Sequence, residues 1–285
     1  MDSRFRGSDE ERGVQGAFPL PLNSPLRWTR VWWHIRAMTL RILLLLSILL
    51  APLCATAETI DPRQEYRACL QLARSKPEDG WEEAIAWQSL EGGEPARHCA
   101  AVALIGLGKL EEAAKRLESL AQHSRGTEAL RAEMLAQAAQ AWLHADKIEL
   151  ALADLDTALG LVPNQPDLLL DKAMAMAQAA HYKDAAEVLT TLLAVQPNRV
   201  EAMVLRGSAY RYLDKLELAK EDISRALVLE PNQPDALLER GMIRRLEDNK
   251  AGAREDWMKV ITAAPDSVAA DTARRNLEIM DVKVK

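Results

Sequence analysis

Small and apolar residues recur through the C-terminal half of the chain at a fixed interval of 34. Each unit is numbered so that Pro163, Pro197, Pro231 and Pro265 fall at position 32. Position 20 is then Ala151, Ala185, Ala219 and Ala253, and position 8 is Ala139, Ala173, Gly207 and Gly241. Position 24 is Leu155, Leu189, Ile223 and Trp257, and position 27 is Ala158, Leu192, Ala226 and Val260. Residues three and four apart are neighbours on a helix. Positions 4, 8 and 11 therefore form one stripe, and positions 20, 24 and 27 form another on a second helix. The pattern predicts one helical hairpin per unit, with its turn at positions 14–17 and residues without bulk where the two helices meet. The proline ends each unit, since it donates no backbone hydrogen bond and pushes the preceding residue out of the helical region. Position 2 is always acidic (Glu133, Asp167, Glu201, Asp235), which opposes the positive end of the helix dipole if each starts a helix.

Four regular units fill residues 132–267. An earlier unit with a connector occupies 94–131, and a degenerate one with Trp81, Ala84 and Trp87 occupies 58–93. Residues 268–285 read as a capping helix and tail. Repetition at this period predicts an all-α solenoid, in which each hairpin buries its apolar face against its neighbours. No run alternates in the manner of a strand.

The first 57 residues differ in character. They carry seven Arg, no Lys and four acids, a net charge of +3, whereas the remaining residues carry 29 bases and 38 acids, a net of −9. Residues 42–53 form an apolar run of 12, preceded by Met38 and Arg41 and followed by Ala55-Thr56-Ala57. That run is shorter than the roughly 20 residues of a membrane span. A basic start, a short apolar middle and an A-x-A end read as a signal peptide over 38–57, cleaved after Ala57. The alternative is an uncleaved inner-membrane anchor facing the periplasm. Leu53 stands where a lipobox needs a small residue before Cys54, which argues against lipidation. Residues 1–37 fit no part of such a signal and read as a non-native or disordered extension, with a long cytoplasmic n-region as the alternative. The acidic body lacks the basic field that nucleic-acid binding needs.

The repeating positions resemble the tetratricopeptide repeat. The likeness is clearest in 200–233, where Gly207, Tyr210, Ala219, Ala226 and Pro231 match the family pattern; Met203 and Arg206 stand where it has Trp and Leu. The resemblance implies a superhelix whose inner groove binds protein segments. It implies groove positions at Leu170, Met174 and Gln178, then at Val204, Ser208, Arg211 and Tyr212, then at Leu238, Met242 and Arg245. Arg211 and Arg245, one unit apart, are expected to hold partner carboxylates, so the expected partner is a segment with apolar and acidic residues.

Cys69 and Cys99 follow the signal, both on predicted first helices of adjacent units. In an oxidising periplasm they are expected to bond; the alternative is two small buried residues. His98, His123, His144 and His181 show no metal-ligand spacing, and no Ser-His-Asp or Cys-His constellation is evident. No catalysis, cofactor or metal is expected. The sequence thus predicts a periplasmic scaffold that binds protein, ahead of a membrane-tethered assembly factor or an enzyme subunit.

Overall fold

A computed structural model of the chain describes residues 61–281. The expected extension (1–37) and signal peptide (38–57) lie outside the described residues. Thirteen helices, and no strand, make up the described part. They are α1 (Pro62–Ser75), α2 (Pro77–Ser89), α3 (Gly93–Gly106), α4 (Leu110–His123), α5 (Glu128–His144), α6 (Ile148–Leu161), α7 (Pro166–Gln178), α8 (Tyr182–Val195), α9 (Val200–Tyr212), α10 (Leu216–Leu229), α11 (Pro234–Leu246), α12 (Lys250–Ala263) and α13 (Val268–Asp281). Six hairpins and a final helix follow one another. Each helix packs on the next, and first helices also touch the first helices of neighbouring hairpins. The result is a solenoid-like array. None of the described helices is long and apolar enough to cross a membrane.

Local chemistry sets the boundaries. Second helices stop at Leu161, Val195, Leu229 and Ala263, just before the recurring prolines. The next first helix is started by Pro166 or Pro234 in its first turn, where a missing N–H costs nothing. The side chains of Gln165 and Gln233 cap these starts by accepting from the backbone N–H of Leu168 and Ala236. Within each of the four regular hairpins the turn passes through the left-handed region at position 15, at Asp146 (φ 58°), Ala180 (φ 59°), Asp214 (φ 57°) and Asp248 (φ 61°). Asp tolerates that conformation better than alanine does.

Asp167, Glu201 and Asp235 lie in the first turns of α7, α9 and α11, as the acidic pattern predicts. Glu133 does not. Thr127 caps α5 by accepting from the N–H of Leu130, so the helix begins at Glu128 and Glu133 falls in its second turn.

The apolar stripes form the core. The four position-20 alanines are wholly buried, as are Leu155, Leu189 and Trp257, while Ile223 is nearly so. Burying one such side chain contributes about 1.5–3 kcal/mol before entropy is charged against it. Positions 8 and 24 are matched in size. Ala139 and Ala173 share units with Leu155 and Leu189. A Cβ on Gly207 would meet Ile223 at 2.9 Å, and one on Gly241 would meet Trp257 at 2.4 Å.

A second pairing braces the hairpins. Arg206 (position 7) grips both carboxylate oxygens of Asp222 (position 23) at 2.7 Å. Arg240 does the same to Asp256 at 3.0 and 2.7 Å. In the unit 132–165 position 7 is Ala138, so Asp154 is buried without a base; it faces Glu118, and one of its oxygens has no partner. Burial, then the charge of Glu118, raises the Asp154 carboxyl to about 7. At the N-terminal end a disulfide joins Cys69 on α1 to Cys99 on α3, with Cα atoms 6.1 Å apart.

Candidate functional site

A cavity of about 490 Å³ opens between the first helices of three successive hairpins. Leu170 and Met174 of α7, Val204, Leu205 and Ser208 of α9, and Leu238 of α11 supply most of its wall. Glu201, Gln233, Asp235 and Glu239 complete the lining. The 34-residue repeat places these side chains together, because positions 5 and 9 of a first helix recur on one side of the array. Met174 is 52% exposed, an unbranched apolar side chain left open to solvent.

Five of the ten positions singled out in the sequence line this cavity: Leu170, Met174, Val204, Ser208 and Leu238. The other five lie outside its wall. Gln178, the last residue of α7, is exposed. The Met242 sulfur accepts from the Asn276 side-chain amide at 3.1 Å. Tyr212, 56% exposed, stacks on Tyr182 with ring centroids 4.3 Å apart and planes inclined by 3°. Arg245 sits in the last turn of α11 and has no carboxylate partner among the described residues.

Arg211 differs from its expected role. Its guanidinium donates to both carboxylate oxygens of Glu239, at 2.7 and 3.1 Å, and lies 4.2 Å from the Tyr212 ring centroid. Its side chain is only 9% exposed, and that of Glu239 13%. The carboxylate it was expected to take from a partner belongs to the next hairpin of its own chain. Ser208 donates to the same Glu239, at 3.0 Å.

The acidic wall escaped the sequence reading. Glu201 and Asp235 were seen only as helix-dipole acids, and Glu239 lies at position 6, outside the positions that the family resemblance supplies. Arg199 bridges Asp167 (3.2 Å) and Glu201 (2.5 Å). Asp171 lies one turn before Met174; burial first, then the charge of Asp167, raises its carboxyl above the usual range.

A half-buried polar cluster near the disulfide was also missed. The Tyr66 hydroxyl bonds His98 Nδ1 at 2.8 Å, and His98 Nε2 bonds Gln137 Oε1 at 3.0 Å. Gln137 Oε1 can only accept, so the neutral ring carries its proton on Nε2 and Tyr66 donates to Nδ1. Burial lowers the His98 pKa and stabilises that neutral form. The residues span three first helices, α1, α3 and α5.

The tetratricopeptide repeat family model matches residues 170–219 and 204–268. MamA from Desulfovibrio magneticus RS-1, from its residue 41 onward, superposes with a TM-score of 0.53 at 25% identity, over 61% of this chain and 97% of that one. A double mutant of MamA from RS-1 gives the same score and identity over 60% and 93%. YrrB, described as a repeat protein of this type with an unusual peptide-binding site, superposes at 0.50 with 19% identity, over 67% and 96%. No curated protein matches the chain in sequence. The recurring small positions, the proline-ended hairpins and these matches agree: residues 170–268 carry tetratricopeptide repeats.

Proposed function

We propose that this protein is an exported, periplasmic scaffold. In this reading its hairpins coil into a superhelix and hold a protein segment in the concave groove, with no catalysis of their own. The observation that carries the reading is the apolar cavity wall across three hairpins, where Met174 is open to solvent, Leu170 and Leu238 are half-buried and Val204 backs them from the core. A mostly apolar cavity with a few polar groups at its rim is the usual form of a binding site. Met174 gives such a wall an adaptable contact.

Export is supported by the A-x-A signal pattern at 38–57 and by the bond between Cys69 and Cys99, a pairing suited to an oxidising compartment. An uncleaved 38–57 makes the same scaffold a membrane-tethered assembly factor.

Two experiments test this. Carbonate extraction followed by N-terminal sequencing is expected to yield a soluble protein starting at Glu58; a membrane-retained chain with residues 38–57 intact contradicts the periplasmic reading. Periplasmic extract passed over the immobilised protein is expected to leave a partner that Met174→Gln retains severalfold less. Equal retention by both contradicts the groove assignment.

A further inference from the structure

We propose that the segment held in this cavity is basic as well as apolar: Lys or Arg side chains, spaced among apolar ones, reach the carboxylates that rim it. This rests on the groove reading above and names the partner chemistry. Glu201, Asp235 and Glu239 line the cavity, and no Lys, Arg or His does. The two arginines nearest to them are already committed. Arg199 is shared between Asp167 and Glu201, and Arg211 is held by Glu239. Asp235 has no basic partner among the described residues; it accepts only from Gln233, at 3.4 Å.

One carboxylate of the lining, Asp235, therefore stands at an apolar wall without a counter-charge from the described residues. An acidic segment would bring further carboxylates to this rim with no free cation on the wall to receive them. A basic segment supplies the missing charge while its apolar residues cover Met174 and Leu238. The side-chain stems of Lys and Arg also pack along apolar surface while their heads reach out. Arg245, the one groove-position cation without a carboxylate partner among the described residues, lies off the cavity wall in the last turn of α11. The body beyond residue 57 carries a net charge of −9, so approach of a basic partner is favoured at longer range as well.

A random dodecapeptide display library panned on the full chain tests this. Asp235 is exposed and bonds only Gln233, so Asp235→Lys is expected to fold as the parent does, which a thermal melt checks. The expected result is enrichment of peptides with more Lys and Arg than Asp and Glu. Synthetic copies should bind Asp235→Lys about tenfold more weakly, Met174→Gln severalfold more weakly, and lose affinity as salt rises. Enriched peptides that are acidic, or that ignore Asp235→Lys while still losing affinity to Met174→Gln, overturn the charge inference and leave the groove reading standing. Peptides that ignore both variants, or no enrichment at all, overturn the groove reading and the inference together.

Discussion

The Cβ that Gly241 lacks would lie 2.4 Å from the indole nitrogen of Trp257. The two residues are sixteen apart, positions 8 and 24 of one hairpin, and the glycine makes room for the largest wholly buried side chain of the described structure. Trp257 lies with its ring against α11, and its N–H donates to the Leu238 carbonyl at 3.3 Å. Leu238 is also a wall residue of the cavity, so the backbone that presents it is held from behind by this tryptophan.

Gly241→Ala is expected to destabilise the protein by about 2–3 kcal/mol, because overpacking outweighs the gain of Ala over Gly in a helix. Trp257→Leu in the same chain recreates the Ala–Leu match of the units 132–165 and 166–199. It should recover part of that loss. A double-mutant cycle by urea unfolding reads the coupling; additive effects contradict the size match.

Asp154 predicts a pH dependence. Its folded-state pKa of about 7 lies above the ordinary carboxyl value, so the folded state holds a proton that the unfolded chain has released. The associated stability is fully present below about pH 4 and is lost as pH rises through 7. Asp154→Asn should flatten that part of the profile and be the more stable protein at pH 8. Urea midpoints at pH 5 and pH 8 decide; parallel losses in parent and variant contradict the assignment.

Ala180 holds φ 59° at a turn position occupied by Asp in the three other regular units. Alanine is strained there and glycine is not. Ala180→Gly is expected to stabilise by about 0.5–1 kcal/mol. An unchanged or lower melting temperature contradicts that reading of the turn.

Breaking the Cys69–Cys99 bond reopens a loop of 30 residues and is expected to cost about 3–4 kcal/mol. Because hairpins couple mainly to their neighbours, the loss should concentrate in α1–α4. Hydrogen exchange with and without reductant shows it as faster exchange there and little change in α9–α13. Two reactive thiols in the untreated, denatured protein cleaved after Ala57, which lacks Cys54, contradict the bond itself.

The hairpin architecture was legible because its signals are local and periodic: alanine at position 20, proline at position 32 and an apolar residue at position 24 each mean the same thing in every unit. Five cavity residues were legible for the same reason. The charges were not. Arg211 and Glu239 are 28 residues apart and pair only because α9 lies against α11, so counting the cations on one helix misjudged the wall. Arg211→Glu is consequently no clean probe of binding: it puts a buried carboxylate against Glu239, a change that costs about 3–5 kcal/mol. The braces at positions 7 and 23 had a visible signal in Arg206, Arg240, Asp222 and Asp256. Reading Arg206 only as a departure from the family's leucine hid it. The start of α5 was misplaced because Thr127 caps that helix ahead of the repeat boundary.

The central claim is that the wall around Met174 is where another polypeptide sits. A photo-crosslinking amino acid placed at Met174, or at Met258 on second helix α12, tests it in growing cells; the two sites are equally open, at 52% and 50% exposed. The account predicts a discrete protein adduct from position 174 that position 258 does not give. Identical adducts from both positions, or an adduct from 258 alone, contradict it.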